Sequence, residues 1–141
     1  MECLWPSRAP ETKFQIKISI EEFLTENNLN LSVGVRNGDT SAKERNKQRN
    51  KLPNILVTTP ESLQLIISSK DWKNKFSFLN TVVVDEWHEL IGSKRGVQVE
   101  LCLAAIRHFN TSTSIWGISA TIGNIEQAKG SANREYPVSL S

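Results

Sequence analysis

The residues best suited to chemistry are two adjacent carboxylates followed closely by a histidine, Asp85-Glu86-Trp87-His88. They come directly after Thr81-Val82-Val83-Val84, a β-branched run that reads as a strand buried on both faces. Adjacent carboxylates at a strand's carboxyl end can divide two jobs. Asp85 can hold Mg²⁺, through water, because this hard ion prefers oxygen ligands and keeps part of its hydration shell. Glu86 can orient and deprotonate a water that attacks a phosphoryl group. His88 is placed to hydrogen-bond a neighbouring loop. The ordinary alternative for an Asp-Glu pair is a strand end that caps the next helix. The valine run before the pair and the histidine after it favour the catalytic reading.

Such residues need a scaffold. Apolar runs predict strands at Leu31–Val35, Ile55–Thr58, Thr81–Val84 and Ser114–Ser119, with helical patterns between them. Ile18–Asn27 places Ile20, Phe23 and Leu24 on one helix face. Ser41, with Glu44 three residues on, carries a capping-box signature. Thr59-Pro60 opens another helix, with Pro60 at the first helical position and an apolar face of Leu63, Ile66 and Ile67. Val97–Phe109 has a stripe of Val97, Leu101, Ala104, Ala105 and His108, and Arg107 lies near its negative end. Trp116 falls in a central strand, where core packing outranks base stacking. Trp72 fits a short helix packed onto the sheet, and His108 a helix end.

Strands alternating with helices predict an α/β fold with a mostly parallel sheet flanked by helices on both faces. Ligands of such sheets bind at the carboxyl ends of strands. Residues 1–17 contain Pro6 and Pro10 and show no clear periodicity, and 128–141 are polar. The expectation is a single incomplete domain over residues 1–141, with poorly matching ends at 1–17 and 130–141.

Composition sets broad bounds. The 141 residues are 38% hydrophobic and 23% charged, which suits a globular domain. The net charge of +2 argues for no partner by itself. Its distribution says more: Lys43, Arg45, Lys47, Arg49 and Lys51 face a single Glu44, a stretch that is either a solvated helix face or a seat for a phosphate backbone. Cys3 and Cys102 have no metal-ligand spacing, and Cys102 reads as a small buried hydrophobe, so a reducing cytoplasm is the expected setting. The first ten residues do not resemble a secretion signal, and no run approaches the ~20 apolar residues of a membrane span.

Val82-Val83-Val84-Asp85-Glu86-Trp87-His88-Glu89-Leu90 resembles the DExH box of superfamily 2 helicases. With Gly92-Ser93-Lys94-Arg95-Gly96 after it, the box is similar to that of the large helicase-related (Lhr) proteins and their DNA-ligase-associated relatives. Trp116-Gly117-Ile118-Ser119-Ala120-Thr121-Ile122-Gly123-Asn124 resembles motif III, and Thr58-Thr59-Pro60-Glu61-Ser62-Leu63 resembles motif Ib. Val35-Arg36-Asn37-Gly38-Asp39-Thr40-Ser41 looks like the family's preceding segment, and Pro6-Ser7-Arg8-Ala9 keeps the shape of motif Ia. Their shared order makes the resemblance specific from about Leu31 to Lys129.

The resemblance implies part of the first RecA-like, P-loop NTPase domain of an ATP-dependent DNA helicase, with ATP and Mg²⁺ as cofactors and a role in repair. It implies a second RecA-like domain as partner, and single-stranded or partly duplex DNA, or RNA, as the bound strand. Asp85, Glu86 and His88 would be catalytic, with Asp85 on the metal through water. Ser119, Ala120 and Thr121 would couple nucleotide state to strand movement by bonding toward Asp85 and His88. Arg8, Arg36, Gly38, Asp39, Thr40, Thr58, Thr59, Pro60 and Glu61 would lie along the strand's backbone, where contacts position without reading sequence.

The sequence also departs from the family. No Gly-x-x-x-x-Gly-Lys-Ser/Thr phosphate loop occurs in the 141 residues. Pro10-Glu11-Thr12-Lys13 replaces an expected Ala-Leu-Ala helix start. The absence of the phosphate-loop strand is expected to leave exposed sheet edges. Two alternatives stand beside the enzyme reading: a nucleic-acid-binding module without ATP turnover, and a degenerate remnant.

Overall fold

The computed structural model describes the backbone of residues 2–5, 10–118 and 139–140 and the side chains of residues 13–118. Its strands are β1 (Glu2–Trp5), β2 (Val33–Arg36), β3 (Ile55–Thr58), β4 (Thr81–Asp85), β5 (Ser114–Ile118) and β6 (Ser139–Leu140). The helices are α1 (Pro10–Glu26), α2 (Ala42–Asn50), α3 (Pro60–Ile67), α4 (Trp72–Lys75), α5 (Trp87–Leu90) and α6 (Lys94–Phe109). The strands form one sheet in the order β2-β3-β1-β4-β5-β6, and every pairing is parallel. The expected parallel α/β architecture is therefore present. Arg8, Ser119, Ala120 and Thr121 lie outside the described residues.

Register decides which face each residue takes. Gly34, Leu56, Val82 and Ile115 are level across the sheet. Side chains alternate between faces along a strand, so this row shares one face with residues two positions on. Leu56, Val82, Val84 and Ile115 join Leu63 and Ile66 of α3 and Val99, Cys102, Leu103 and Ile106 of α6 in one buried cluster. A Cβ on Gly34 would lie 2.9 Å from Pro53 Cγ and 3.4 Å from Gln48 Nε2, so α2 crosses on this face too. The opposite row runs through Val35, Val57, Val83 and Trp116. There α1 packs on β2 and β3.

Several expectations need correction. Val82-Val83-Val84 is not buried on both faces: Val82 and Val84 are sealed, whereas Val83 is partly open. Trp116 is 39% exposed and is not a core residue. On α6 the inward residues are Gly96, Val99, Cys102, Leu103 and Ile106, while Val97 and Leu101 point outward. The cause is local: a Cβ on Gly96 would collide with the Leu90 carbonyl, so that close approach fixes the helix's rotation. On α1, Leu24 is buried but Phe23 is 59% exposed.

Boundaries also moved. The first helix starts at Pro10 rather than Ile18, with proline again at a first helical position. β1 inserts between β3 and β4 although residues 1–17 show no periodicity. β2 starts at Val33, because Ser32 instead exchanges hydrogen bonds with Asn54: its N–H donates to Asn54 Oδ1 and its Oγ accepts from the Asn54 N–H, both at 3.0 Å.

Other expectations hold. Thr59 caps α3 with Pro60 after it, and Leu63 and Ile66 are buried beneath it. Ser41 caps α2 by accepting from the Glu44 N–H. Trp72 does sit in a short helix, but its ring meets Phe109 edge-on at 5.4 Å and Phe76 at 6.2 Å, so it joins α4 to the end of α6 rather than to the sheet. Cys102 is buried, and burial pushes its thiol pKa up to about 11.

Candidate active site and strand-binding edge

The sheet brings the candidate residues to one edge. Arg36 is level with Thr58 and Asp85 with Ile118, and Leu4 of β1 is level with both Val57 and Val83, so β4 and β5 run about one residue past the ends of β2 and β3. β2, β3 and β4 are each followed by a short loop and a helix. The loops at Gly38-Asp39-Thr40, Thr59-Pro60 and Asp85-Glu86 therefore emerge along the carboxyl edge.

At the end of β4 the chain turns sharply. Glu86 adopts φ 51° and ψ 42°, a left-handed conformation that costs a non-glycine residue about 1–3 kcal/mol. Asp85 Oδ1 accepts the Glu86 N–H at 2.9 Å, which pins the turn. Glu86 Oε2 lies 3.2 Å from His88 Nδ1, and all three side chains are only half-buried. Trp87, in contrast, is buried beneath the turn and cannot stack on a base. The turn buries the aromatic residue and presents the carboxylates.

The segment after the box has its own logic. Gly92 has φ +73°, the region glycine adopts without penalty. Ser93 Oγ donates to the Leu90 carbonyl at 2.9 Å and accepts from the Gly96 N–H at 2.9 Å. That hydroxyl closes α5 and opens α6. The run Gly92-Ser93-Lys94-Arg95-Gly96 is thus a tight helix-to-helix corner.

From that corner Arg95 reaches α3. Its Nε donates to Glu61 Oε1 at 2.9 Å and one Nη to Oε2 at 3.5 Å, and one turn on Gln98 donates to Gln64 at 3.0 Å. Burial pushes the Glu61 carboxyl up, but its own backbone amide, Arg95 and the Thr59 hydroxyl together hold it below the ordinary carboxylate range. Lys13, buried on α1, has its pKa lowered by burial and by Arg95, against smaller opposing contributions from Glu61 and Asp39. These charges link the starts of α1, α3 and α6.

Two amides in the first turn of α3 are engaged. Thr59 Oγ1 accepts from Ser62 N–H at 3.3 Å, and Thr59 O accepts from Leu63 N–H at 2.8 Å. Pro60 has no N–H. Thr58 is fully buried, and its hydroxyl donates to the Arg36 carbonyl at 2.9 Å, tying β3 to β2. Thr58 and Thr59 therefore shape the edge, while Glu61 occupies it.

The neighbouring loop is equally built. Asn37 Oδ1 accepts from Asp39 N–H at 3.0 Å, and Thr40 Oγ1 accepts from Asn37 N–H at 2.8 Å. Arg45 donates to the carbonyls of Thr40 at 2.8 Å, Asn37 at 3.3 Å and Gly38 at 2.5 Å. One cation of the Lys43–Lys51 stretch is thus structural, and sequence reading missed that role. Gly38 and Asp39 remain exposed at the loop tip, with Thr40 half-buried.

No three-residue cluster of metal-ligating side chains occurs among the described residues. The donor set fits Mg²⁺ in another way. That ion is commonly held by one or two carboxylates together with substrate phosphates, and Asp85 supplies a half-exposed carboxylate at a strand end.

Comparison with known proteins agrees with this geometry. Residues 10–128 match the family model of the DEAD/DEAH box helicases. The Lhr helicase/uracil glycosylase of Escherichia coli (strain K12) is 38% identical over 116 residues, covering 82% of this chain and 8% of the relative. The ATP-dependent helicase Lhr-Core of Methanothermobacter thermautotrophicus is 37% identical over 99 residues, covering 70% of this chain and 12% of the relative. The structure of Mycobacterium smegmatis helicase Lhr bound to ssDNA and AMP-PNP superposes with a TM-score of 0.82 at 26% identity, over 99% of this chain and 19% of that one. The chain thus spans 8% and 12% of the length of these two curated relatives.

Proposed function

The chain belongs to the DEAD/DEAH box helicase family, as a helicase ATP-binding domain of the Lhr type, and we propose that it forms the hydrolytic and strand-holding edge of a longer DNA motor. In that motor Glu86 positions and deprotonates the attacking water, and Asp85 is the carboxylate that would hold Mg²⁺ through its water shell. The ion would supply charge neutralisation at the β- and γ-phosphates. His88 holds the Glu86 carboxylate in place. A phosphate loop and a second RecA-like domain complete the ATP site, and Ser119, Ala120 and Thr121 carry the coupling role. Repair of DNA in the reducing cytoplasm is the proposed setting.

The observation that carries this reading is the common edge, where the hydrolytic turn at Asp85-Glu86 stands level with the end of β5 and about one residue past the ends of β2 and β3. A strand lying across that edge touches the Gly38-Asp39-Thr40 tip, Arg36 and the start of α3. Arg8, just beyond β1, is assigned to the same path. Contacts of this kind bind backbone rather than sequence.

The test is binding of a single-stranded oligonucleotide by the chain, followed by fluorescence anisotropy against salt. Affinity falls with salt at a log–log slope of about 0.7 per phosphate contact. Glu86→Gln leaves that binding unchanged, because Glu86 acts on water and not on the strand. Absence of binding at low salt contradicts the strand-holding role.

A further inference from the structure

Arg95 has no part in the proposed chemistry, yet it stands between the strand-holding edge and the hydrolytic turn. It is the second residue of α6, and its guanidinium reaches back to Glu61 at the start of α3. The two side chains are partly exposed, at 39% and 50%. An exposed ion pair is weak, so another anion arriving at the α3 start can take the place of Glu61. Lys13 adds pressure from below. It is buried, and its pKa is lowered by burial and then by Arg95, with Glu61 and Asp39 acting in the opposite direction. Without Glu61, Arg95 faces a buried like charge that only Asp39 offsets.

The contacts beyond Arg95 lead to Glu86. The next residue, Gly96, lies so close to the Leu90 carbonyl that an added Cβ would collide with it. Ser93 Oγ donates to that same carbonyl at 2.9 Å and accepts from the Gly96 N–H at 2.9 Å. Leu90 ends the four-residue helix α5, in which the Glu89 N–H donates to the Glu86 carbonyl at 2.9 Å. Backbone therefore meets backbone from Gly96 to Glu86, which leaves little slack. The rest of α6 is held elsewhere. Gln98 donates to Gln64 at 3.0 Å, and Val99 and Cys102 share the buried cluster with Leu63 and Ile66 of α3. Only the first turn of α6 is free to answer to Arg95.

We infer that Arg95 is a positioning residue for the hydrolytic turn, set by whether its guanidinium is held by Glu61 or drawn off by another anion. With Glu61 in place, the first turn of α6 is tied to the start of α3. When a strand phosphate takes Arg95 from Glu61, that turn shifts. The Gly96–Leu90 contact then carries the shift through α5 to Glu86 and His88. The trigger rests on the strand-holding role proposed for the edge, whereas the relay is a property of the chain alone.

Nuclear magnetic resonance of the intact chain tests relay and trigger separately. With no strand present, Glu61→Gln frees Arg95 and should shift the backbone amides of Glu86, His88 and Leu90, with an unchanged circular dichroism spectrum. In an Arg95→Ala background the same substitution should leave those three amides where they are, since two residues that act through one contact are not additive. Shifts from Glu61→Gln that stay within residues 60–64, or that persist in the Arg95→Ala background, would overturn the relay. A twelve-nucleotide single strand added to the wild type should move the same three amides in the direction that Glu61→Gln moves them, together with residues 38–40 and 61–63. A strand that shifts residues 38–40 and 61–63 but not Glu86 and Leu90 would overturn the coupling and leave the strand-holding role intact. A strand that shifts nothing would remove that role, and the trigger with it.

Discussion

Glu86 Oε2 lies 3.2 Å from His88 Nδ1 across a turn in which Glu86 is left-handed. The strain and the contact belong together, because the αL backbone lifts the glutamate off the β4 axis while Trp87 goes under it. Replacing Glu86 by glycine relieves the backbone and loses an exposed contact of small value. Glu86→Gly should raise stability by about 1 kcal/mol. Thermal unfolding checks it, and a lowered Tm would mean the turn is not strained.

Gly96 is the opposite case. Any Cβ there meets the Leu90 carbonyl, a backbone atom held by the Ser93 hydroxyl. Gly96→Ala should destabilise the domain by about 3 kcal/mol, the upper range for overpacking. Urea unfolding with an unchanged m-value measures this. A cost below about 1 kcal/mol would show that the corner yields.

Glu61 occupies the α3 start that a phosphate would use, and there it pairs with Arg95. Glu61→Gln removes an anion from the strand path and releases Arg95. Affinity for a single strand at low salt should rise a few-fold, in line with the ~0.3–1 kcal/mol of an anion at a helix N-terminus. Anisotropy titration decides. A fall in affinity would mean that Glu61 itself helps to hold the strand.

Cys102 sets a pH window. Its folded thiol pKa of about 11 lies above the ordinary value of 9.0. An acid raised on folding stabilises fully below its unfolded pKa, and that contribution is lost as pH climbs through the folded value. The contribution is roughly 3 kcal/mol for a two-unit difference. The stability gap between the wild type and Cys102→Ala should therefore shrink from pH 8 to pH 11. Chemical denaturation across that range reads it, and a constant gap would mean that the thiol is not desolvated.

Sequence showed the chemistry more clearly than the packing. The DExH box, the Thr59 cap and the parallel α/β pattern were legible because each rests on local residue order. The inward face of α6 was not, because Gly96 sets its rotation through contact with Leu90 and hydropathy alone favoured Val97 and Leu101. β1 escaped notice because four residues carry too little periodicity, and its place is fixed by pairing with β3 and β4. The structural use of Arg45 was hidden in a basic run, although the Asn37-Gly38-Asp39-Thr40 turn five to eight residues earlier offered carbonyls within reach. The roles of Ser119, Ala120, Thr121 and Arg8 still rest on motif resemblance.

The most direct measurement is DNA-stimulated ATP hydrolysis by a chimera in which residues 10–128 replace the matching segment of the Escherichia coli relative, compared with its Glu86→Gln form. The chimera should hydrolyse ATP in response to single-stranded DNA, and Glu86→Gln should lower the rate by at least about a hundredfold, the scale of a lost general base. Equal rates in the two proteins would contradict the assignment of Glu86, and with it the hydrolytic reading of the edge.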